Sequence, residues 1–248
     1  MTLDQFFQQN NTVAIAFSGG VDSAYLLHAA IQSGAKVTAY FVKSDFQPQF
    51  ELEDALKLAS QLGAEMQVLS LDVLCHDSIA SNSADRCYHC KKRIFEAIYS
   101  AATNDGYEVL LDGTNASDEA SDRPGMRALA ELSVRSPLRE CGLTKDEIRH
   151  FSKDAGLFTW DKPAYACLAT RIPTGEKITV DKLKRTEAAE GFLASLGFKD
   201  FRVRCHCDVA KIQLRAGDIP LLMENREKID RELKRYYKEV TLDLEVRK

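Results

Sequence analysis

The sequence contains no long apolar run and no excess of basic residues. None of its hydrophobic stretches approaches the ~18 residues of a membrane-spanning helix, and residues 1–5 lack the positive charge that opens a secretory signal peptide. The net charge of −4 also lacks the basic excess typical of proteins that bind a polyanionic macromolecule. We therefore expect a cytoplasmic protein with no membrane contact and no nucleic-acid substrate, although a local basic pocket remains compatible with this charge.

Internal repeats and low-complexity segments are missing as well. The 248 residues suffice for one large domain, or for one domain with a smaller appendage. A hydrophobic content of 45% with 28% charged residues is typical of a soluble globular enzyme. In a reducing compartment the seven cysteines are expected to be thiols, metal ligands or catalytic groups, which excludes a disulfide framework.

Residues 13–23, VAIAFSGGVDS, join an apolar strand to a helical pattern through two glycines. The segment is neither G-x-x-x-x-G-K-[ST] nor G-x-G-x-x-G. Ser18, Gly19 and Gly20 carry little side-chain bulk, so their backbone N–H groups can converge on an anion at the positive end of the following helix. The segment therefore predicts a phosphate-binding turn.

Three side chains of the same segment add to this prediction. Ser18 and Ser23 supply hydroxyl donors. Asp22 places a carboxylate where a phosphate is expected, which is reasonable if a divalent cation such as Mg2+ binds with it. The segment resembles the S-G-G-x-D-S signature of the PP-loop ATP pyrophosphatases, and this resemblance implies cleavage of ATP between its α and β phosphates and adenylylation of a substrate.

The segments that follow alternate between strand and helix patterns. Strands are predicted over 36–42 and 65–71, with a helix between them over 52–62. This alternation predicts an α/β fold with a right-handed, doubly wound parallel sheet. A further strand over 107–111 leads into another turn of small residues, 112–118.

That turn contains Gly113 and Thr114 and has two interpretations. It is either a second nucleotide-contacting loop or a simple connection.

A helix is predicted to begin after Thr144. Thr144 is its expected N-cap and Glu147 follows three residues later, which is the pattern of a capping box, and Gly156 ends the helix.

The composition changes near Trp160, where we place a domain boundary. Residues 1–160 form the predicted PP-loop domain and residues 161–248 a small α+β domain. The predicted elements of the second domain are a helix over 179–196, strands over 201–207 and 210–215, a helix over 218–236 and a strand over 239–246.

A C-x-x-C pair, Cys87 and Cys90, is predicted in a polar loop, 75–90, just before a helix over 91–102. The pair is compatible with half a zinc site, a redox pair or part of a cluster site. An equally weighted interpretation is two structural thiols at a helix start, where the helix dipole is expected to favour the thiolate form of Cys87.

Cys167 lies in a turn of small residues, four positions before Arg171. A nearby guanidinium would favour the thiolate, the nucleophilic and metal-binding form, whereas a buried inert thiol is the alternative. Cys205 and Cys207 form a C-x-C whose alternation on a strand predicts both thiols on one face.

We expect Arg202 and Arg204 to share the face of Cys205 and Cys207 and to make the local field positive. Such a field suits thiolates and a substrate phosphate alike. With a third thiol, the C-x-C pair would suit iron–sulfur ligation.

Taken together, the motifs resemble the LarE family, the ATP-dependent sulfur transferases that mature the nickel-pincer nucleotide cofactor of lactate racemase. The motifs that carry the resemblance are SGGVDS at 18–23, RCYHCK at 86–91, GTN at 113–115, RPG at 123–125, KP at 162–163, ACLATRIP at 166–173 and RVR at 202–204. They cover nearly the whole chain in order.

The resemblance implies a substrate and a reaction. Carboxylates of pyridinium-3,5-biscarboxylic acid mononucleotide are adenylylated by ATP with Mg2+ and then converted to thiocarboxylates. Arg202 and Arg204 would hold the ribose phosphate or the pyridine carboxylates of this small-molecule partner. The resemblance also implies that residues 161–248 form the domain for sulfur transfer and substrate binding. It further implies that the protein is a homo-oligomer, namely a hexamer. The residues expected to bind ATP are Ser18, Gly19, Gly20, Asp22, Ser23, Gly113 and Thr114.

The resemblance offers two sulfur sources, both involving Cys167. In the single-cysteine branch the residue matching Cys167 gives up its own sulfur and becomes dehydroalanine. In the three-cysteine branch, which this chain resembles more, Cys167, Cys205 and Cys207 hold a [4Fe-4S] cluster whose fourth iron carries the transferred sulfide. A rival ligand set, Cys87, Cys90 and Cys167, is similar to that of some PP-loop tRNA thiolases.

Overall fold

The structure, a computed structural model, describes residues 1–118 and 124–247. The strands are β1 (Thr12–Ala16), β2 (Lys36–Lys43), β3 (Glu65–Ser70), β4 (Leu110–Leu111), β5 (Arg202–His206), β6 (Val209–Gln213) and β7 (Glu239–Leu242). The helices are α1 (Leu3–Gln9), α2 (Val21–Gln32), α3 (Gln49–Leu62), α4 (Asp77–Ala80), α5 (Arg86–Asn104), α6 (Pro124–Glu131), α7 (Pro137–Glu140), α8 (Lys145–Asp154), α9 (Val180–Ser195) and α10 (Ile219–Leu233). Within the described ranges, no helix has both the length and the apolar character to cross a membrane.

The chain forms two compact units. The first comprises Met1–Val73 and Asp85–Tyr165, and the second comprises Leu74–Ala84 and Ala166–Lys248. The sequence-based boundary at 160 lies a few residues earlier, and no motif in the sequence assigned the segment 74–84 to the second unit.

Asn82 explains why that segment belongs to the second unit. Its buried side-chain amide donates to the carbonyls of Ile172, Pro173 and Glu176 at 3.2, 2.7 and 3.2 Å. Its own carbonyl accepts from the N–H of Gly175 at 2.8 Å. These bonds link residues about 90 positions apart, so no local pattern could have predicted them.

The first unit contains a four-stranded parallel sheet in the order β3-β2-β1-β4. The predicted α/β, doubly wound fold is confirmed, although β4 has two residues where five were expected. After β3 the chain returns to the other side of β1 and adds β4 there. The direction of winding therefore reverses between β1 and β4, where ligands bind in folds of this kind.

Both faces of this sheet are covered, which explains why β1 is almost wholly apolar. Val13 and Ile15 pack in a core shared with α1, α2 and α3. Ala14 points the other way and packs with Tyr40 of β2 and Phe95 of α5. Successive side chains of a strand alternate between faces, so a doubly covered strand must be apolar throughout.

The second unit contains a three-stranded sheet in the order β5-β6-β7. β5 and β6 form an antiparallel hairpin, and β7 runs parallel to β6. The predicted helix–strand–strand–helix–strand order is observed, but β5 ends at His206, so Cys207 lies in the hairpin turn. In the first unit, α5 begins at Arg86 and includes both cysteines that the sequence placed in a loop.

Candidate functional site

The predicted phosphate-binding turn lies between β1 and α2. Gly19 adopts φ +70°, a left-handed conformation that favours glycine, and a Cβ there would lie 3.2 Å from that of Ala55. Gly20 is the N-cap of α2. The hydroxyls of Ser18 and Ser23 lie 3.1 Å apart, and the latter donates to the Gly20 carbonyl at 3.2 Å. These hydrogen bonds link the two sides of the turn, which lies beside the positive end of α2.

The backbone of the second loop, the one after β4, lies close to the backbone at the start of α2. A Cβ on Gly113 would lie 2.9 Å from the N atom of Ser23 and 3.2 Å from its Cα. Buried Asp112 organises the loop by accepting from the hydroxyls of Thr114 at 2.5 Å and Ser136 at 2.6 Å. The loop after β4 is therefore packed against the start of α2, which favours the nucleotide-contacting interpretation.

Asp22 is held by two residues from other parts of the first unit. Its Oδ1 accepts from Asn115 Nδ2 at 3.3 Å, and its Oδ2 lies 2.5 Å from Lys145 Nζ. Sequence reasoning found Lys145 only as the first residue of a helix. Lys145 Nζ therefore lies beside the predicted phosphate-binding turn, where Asp22 balances its charge.

The start of α8 determines where Lys145 lies. Thr144 and Glu147 form the predicted capping box, with Glu147 Oε2 2.8 Å from the Thr144 N atom. Hydrogen bonds from the Thr144 hydroxyl and N–H lower the pKa of the Glu147 carboxyl. The Lys145 N–H donates to Ser117 Oγ at 2.9 Å, which ties the helix start to the loop after β4. The capping box was recognisable in the sequence, but the side-chain contact with Asp22 was not.

Two further motifs of the first unit carried the family resemblance. Arg123 of the RPG motif lies outside the described residues. Lys162 of the KP motif pairs with Asp54 of α3 at 2.7 Å.

Cys167 lies in the second unit, immediately before a short 3-10 helix, Leu168–Arg171, and is half-buried. Arg171 is 1% exposed and makes a bidentate ion pair with Glu190, at 2.8 and 3.1 Å. Its remaining Nη1 donates to the Ala166 carbonyl at 2.8 Å. The expectation that Arg171 acts by favouring the thiolate is not supported, because its charge is matched by Glu190. Arg171 instead fixes the backbone that carries Cys167.

The prediction that Arg202 and Arg204 share a strand face with Cys205 is wrong. Residues an odd number apart lie on opposite faces of a strand, so Cys205 lies on the face of Val203. Arg202 contacts Asp200 at 4.0 Å. Arg204 Nη1 donates to the Thr170 carbonyl at 3.3 Å, and the same guanidinium donates to the amide oxygen of Gln213.

Cys205 is fully buried beside Arg185 of α9. The guanidinium Nη2 lies 3.2 Å from Cys205 Sγ and also donates to the Cys207 carbonyl, while Nη1 pairs with Asp208 at 3.2 Å. Burial raises the pKa of the Cys205 thiol, and the guanidinium opposes part of that rise. Sequence reasoning missed Arg185.

Cys207 is exposed and occupies the first position of the two-residue hairpin turn, with φ +49°. Residues other than glycine rarely adopt this conformation. The prediction of two thiols on one strand face is therefore wrong, because Cys207 is not part of the strand.

The arrangement of the three thiols does not by itself show the expected cluster. Among residues 1–118 and 124–247, no three Cys, His, Asp or Glu side chains come close enough together to hold a metal ion. Cys167, Cys205 and Cys207 all lie within these ranges and in the same unit. The rival set combines Cys87 and Cys90 of the first unit with Cys167 of the second, and it stays a prediction.

The C-x-x-C pair lies on the first turns of α5. Cys87 is exposed and Cys90 is buried. Arg86 Nη2 donates to Cys87 Sγ at 3.2 Å, and the Arg86 side chain is itself buried.

Comparison with known proteins identifies the family. A family model described as queuosine biosynthesis protein QueC matches residues 12–99. The pyridinium-3,5-bisthiocarboxylic acid mononucleotide synthase of Lactiplantibacillus plantarum is 36% identical over 235 residues, which cover 94% of this chain and 85% of that protein. An uncharacterised protein of Synechocystis is 38% identical over 216 residues, covering 86% and 80% of the two chains.

A more distant relative, the tRNA-specific 2-thiouridylase MnmA of Thermotoga maritima, is 24% identical over 187 residues, covering 58% of this chain and 52% of the relative. This partial match agrees with a shared PP-loop fold. The match to the L. plantarum synthase, by contrast, extends over nearly all of both proteins. On that ground the chain belongs to the LarE family of ATP-dependent sulfur transferases.

Proposed function

We propose that this enzyme uses ATP to adenylylate the carboxylates of pyridinium-3,5-biscarboxylic acid mononucleotide and then replaces the activated oxygen with sulfur. The L. plantarum relative is named for the bisthiocarboxylic acid product. A carboxylate resists attack by a sulfur nucleophile because its oxygen is a poor leaving group. Adenylylation solves this problem: a carboxylate oxygen attacks the α-phosphorus, the bond to the β-phosphate breaks, and pyrophosphate leaves.

The observation that carries the proposal is the close approach of Gly113 to Ser23, which joins the two loops at the reversal between β1 and β4. We assign the ATP phosphates to Ser18, Gly19, Gly20 and Ser23, and Lys145 would add a positive charge. These groups orient the triphosphate and stabilise its developing charge.

Asp22 and the hydroxyls of Ser18 and Ser23 are oxygen donors of the kind that Mg2+ binds. The buried hydroxyl of Ser23 lies within this turn, so the donor set fits the ion. When bound, Mg2+ would neutralise part of the phosphate charge.

Arg202 and Arg204 are the two arginines proposed to hold the ribose phosphate or a carboxylate of the substrate, and Arg204 is the better candidate because its hydrogen bonds go to neutral groups. It donates to the neutral Thr170 carbonyl and the neutral Gln213 amide. Arg202 lies beside Asp200, so an acidic group already balances part of its charge. Arginine suits either ligand because its planar guanidinium can bind two oxygens at once.

The sulfur source is proposed to involve Cys167. In the sacrificial route its thiolate attacks the acyl carbon of the adenylate, and AMP leaves. Loss of the Cα proton and cleavage of the Cβ–Sγ bond then release the thiocarboxylate and leave dehydroalanine at position 167. The rigid backbone that Arg171 provides would hold the thiol in a defined position.

The cluster on Cys167, Cys205 and Cys207 stays a prediction of the resemblance. Cys205 would have to leave its contact with Arg185 for the three thiols to share a cluster. Iron and acid-labile sulfide, measured per chain in protein purified without oxygen, test this prediction. Chains that lack both after reconstitution, yet keep full sulfur transfer when Cys205→Ser is introduced, would exclude it.

The function itself is tested by ATP–pyrophosphate exchange in the presence and absence of the biscarboxylic acid mononucleotide. We expect exchange that depends on this acid and a product in which sulfur replaces carboxylate oxygen by mass. Asp22→Asn should abolish exchange. Cys167→Ser should keep exchange and lose the thiocarboxylate. Exchange without the acid, together with thiolation of tRNA nucleosides, would refute the proposal in favour of a tRNA thiolase.

A further inference from the structure

We propose that Cys87 and Cys90 form a redox-active dithiol that exchanges with low-molecular-weight disulfides. The sulfur-transfer function proposed above assigns no role to either residue, and the proposal does not depend on it. Both thiols lie on α5 of the first unit, at the start of the helix.

Helix geometry places the Cα atoms of Cys87 and Cys90 at a separation that is found in disulfides. Residues three apart in an α-helix have Cα atoms about 5 Å apart, because three steps rise 4.5 Å and turn most of a circle around the axis. This separation lies inside the range of roughly 4.4–6.8 Å observed for disulfides. Cβ atoms three apart in a helix lie about 5–6 Å apart, whereas a disulfide needs about 3.5–4.5 Å, so the first turn of α5 must shift slightly when Cys87 and Cys90 are bridged.

The two thiols differ in the way that an exchange reaction needs. Cys87 is exposed and can meet a disulfide from solution, whereas Cys90 is 9% exposed and can be reached mainly by its neighbour. A pair of this kind has an attacking thiol and a resolving thiol.

Cys87 also has a positive charge placed against its sulfur. The Nη2 atom of Arg86 lies 3.2 Å from Cys87 Sγ, and the Arg86 side chain is only 8% exposed, so burial holds the guanidinium in place. The first turn of α5 contains no acidic residue, and the helix contributes its positive end. The exposed sulfur of Cys87, with a guanidinium held against it, is therefore the atom that an external disulfide meets first.

Metal binding, the other role open to a C-x-x-C, needs further ligands. The described part of the chain supplies no third Cys, His, Asp or Glu close enough to complete a site with this pair. This observation favours exchange over ligation.

The reaction balances with a disulfide as the oxidant. The Cys87 thiolate attacks one sulfur of the disulfide, forms a mixed disulfide and releases one thiolate. Cys90, after losing its proton, attacks Cys87 Sγ and releases the second thiolate. The pair loses two electrons, the external disulfide gains them, and the two protons end on the two released thiols.

The proposal is tested on the full chain, reduced without oxygen and then treated with oxidised glutathione. After acid quenching, the remaining thiols are alkylated with N-ethylmaleimide and the peptides are analysed by mass spectrometry. We expect a Cys87–Cys90 disulfide in the wild type and a stable Cys87–glutathione adduct in Cys90→Ser. In Cys87→Ser, Cys90 should stay available for alkylation.

Cys75→Ser is the matched control, since Cys75 is an exposed thiol outside the pair and its loss should leave the disulfide unchanged. Glutathione on Cys87 of Cys90→Ser at no more than the level on Cys75 would overturn the proposal. So would zinc or iron in the purified protein that is lost in Cys87→Ser. ATP–pyrophosphate exchange on the same samples reports separately on the proposed function.

Discussion

Alanine at position 113 should separate the two loops that meet beside β1. The added Cβ would lie 2.9 Å from the Ser23 N atom, 3.2 Å from its Cα and 3.3 Å from the carbonyl carbon of Asp22. All three are backbone atoms at the start of α2, so no flexible side chain can move aside. Either the loop after β4 or the start of the helix must shift.

The cost of such overpacking is about 1–3 kcal/mol of unfolding free energy. The shift also moves the N–H groups proposed to hold the ATP phosphates. We therefore expect Gly113→Ala to unfold at a lower urea concentration and to lose most of its ATP–pyrophosphate exchange. Circular dichroism during urea titration and the exchange assay measure the two effects.

Gly191→Ala is the matched control. Gly191 lies in the interior of α9, is exposed, and has no atom within 4 Å of the position that its Cβ would take. The same substitution should stabilise the second unit by about 0.5–1 kcal/mol, since alanine loses less backbone freedom in a helix. If Gly113→Ala were as stable as the wild type and kept normal exchange, the argument that the two loops form one nucleotide site would be refuted.

Three further substitutions test individual contacts. Lys145→Met should raise the KM for ATP in the exchange assay while changing unfolding free energy by less than about 1 kcal/mol, because its partly exposed pair with Asp22 adds little stability; an unchanged KM would contradict this. Glu190→Gln should lower the free energy of unfolding by about 3–5 kcal/mol, since it leaves the buried Arg171 guanidinium without its counter-charge. A much smaller change in thermal or urea unfolding would show that the ion pair contributes little to stability. Cys207→Gly should raise the free energy of unfolding by about 1 kcal/mol, because glycine adopts a positive φ without steric strain. A variant less stable than the wild type would contradict the argument that Cys207 is strained.

Much of the first unit was predictable because its signals are local. The apolar run of β1, the two glycines after it and the start of α2 adjoin one another in the chain. The capping box at Thr144 and Glu147 spans four residues. Alternation of strands and helices then leads to a parallel sheet, since parallel neighbours need a crossover.

The second unit shows where local reasoning failed. Side chains alternate between the two faces of a strand, so the sequence numbers alone place Arg202 and Cys205 on opposite faces. The expectation that they share a face was inconsistent with this alternation. The conformation of Cys207 had a different cause: the hairpin turn needs a left-handed residue at that position, and no glycine marks it.

What the sequence by itself determined is the chemistry of short segments: a phosphate-binding turn, a capping box, three groups of cysteines and the family that these motifs resemble. Only the tertiary structure decided which distant groups meet. Lys145 reaches Asp22 across 123 residues, Asn82 binds carbonyls about 90 residues away, and Arg185 holds Cys205 from another element. Such contacts depend on how whole helices and strands pack, and that packing is set by many side chains at once, so no short pattern encodes it.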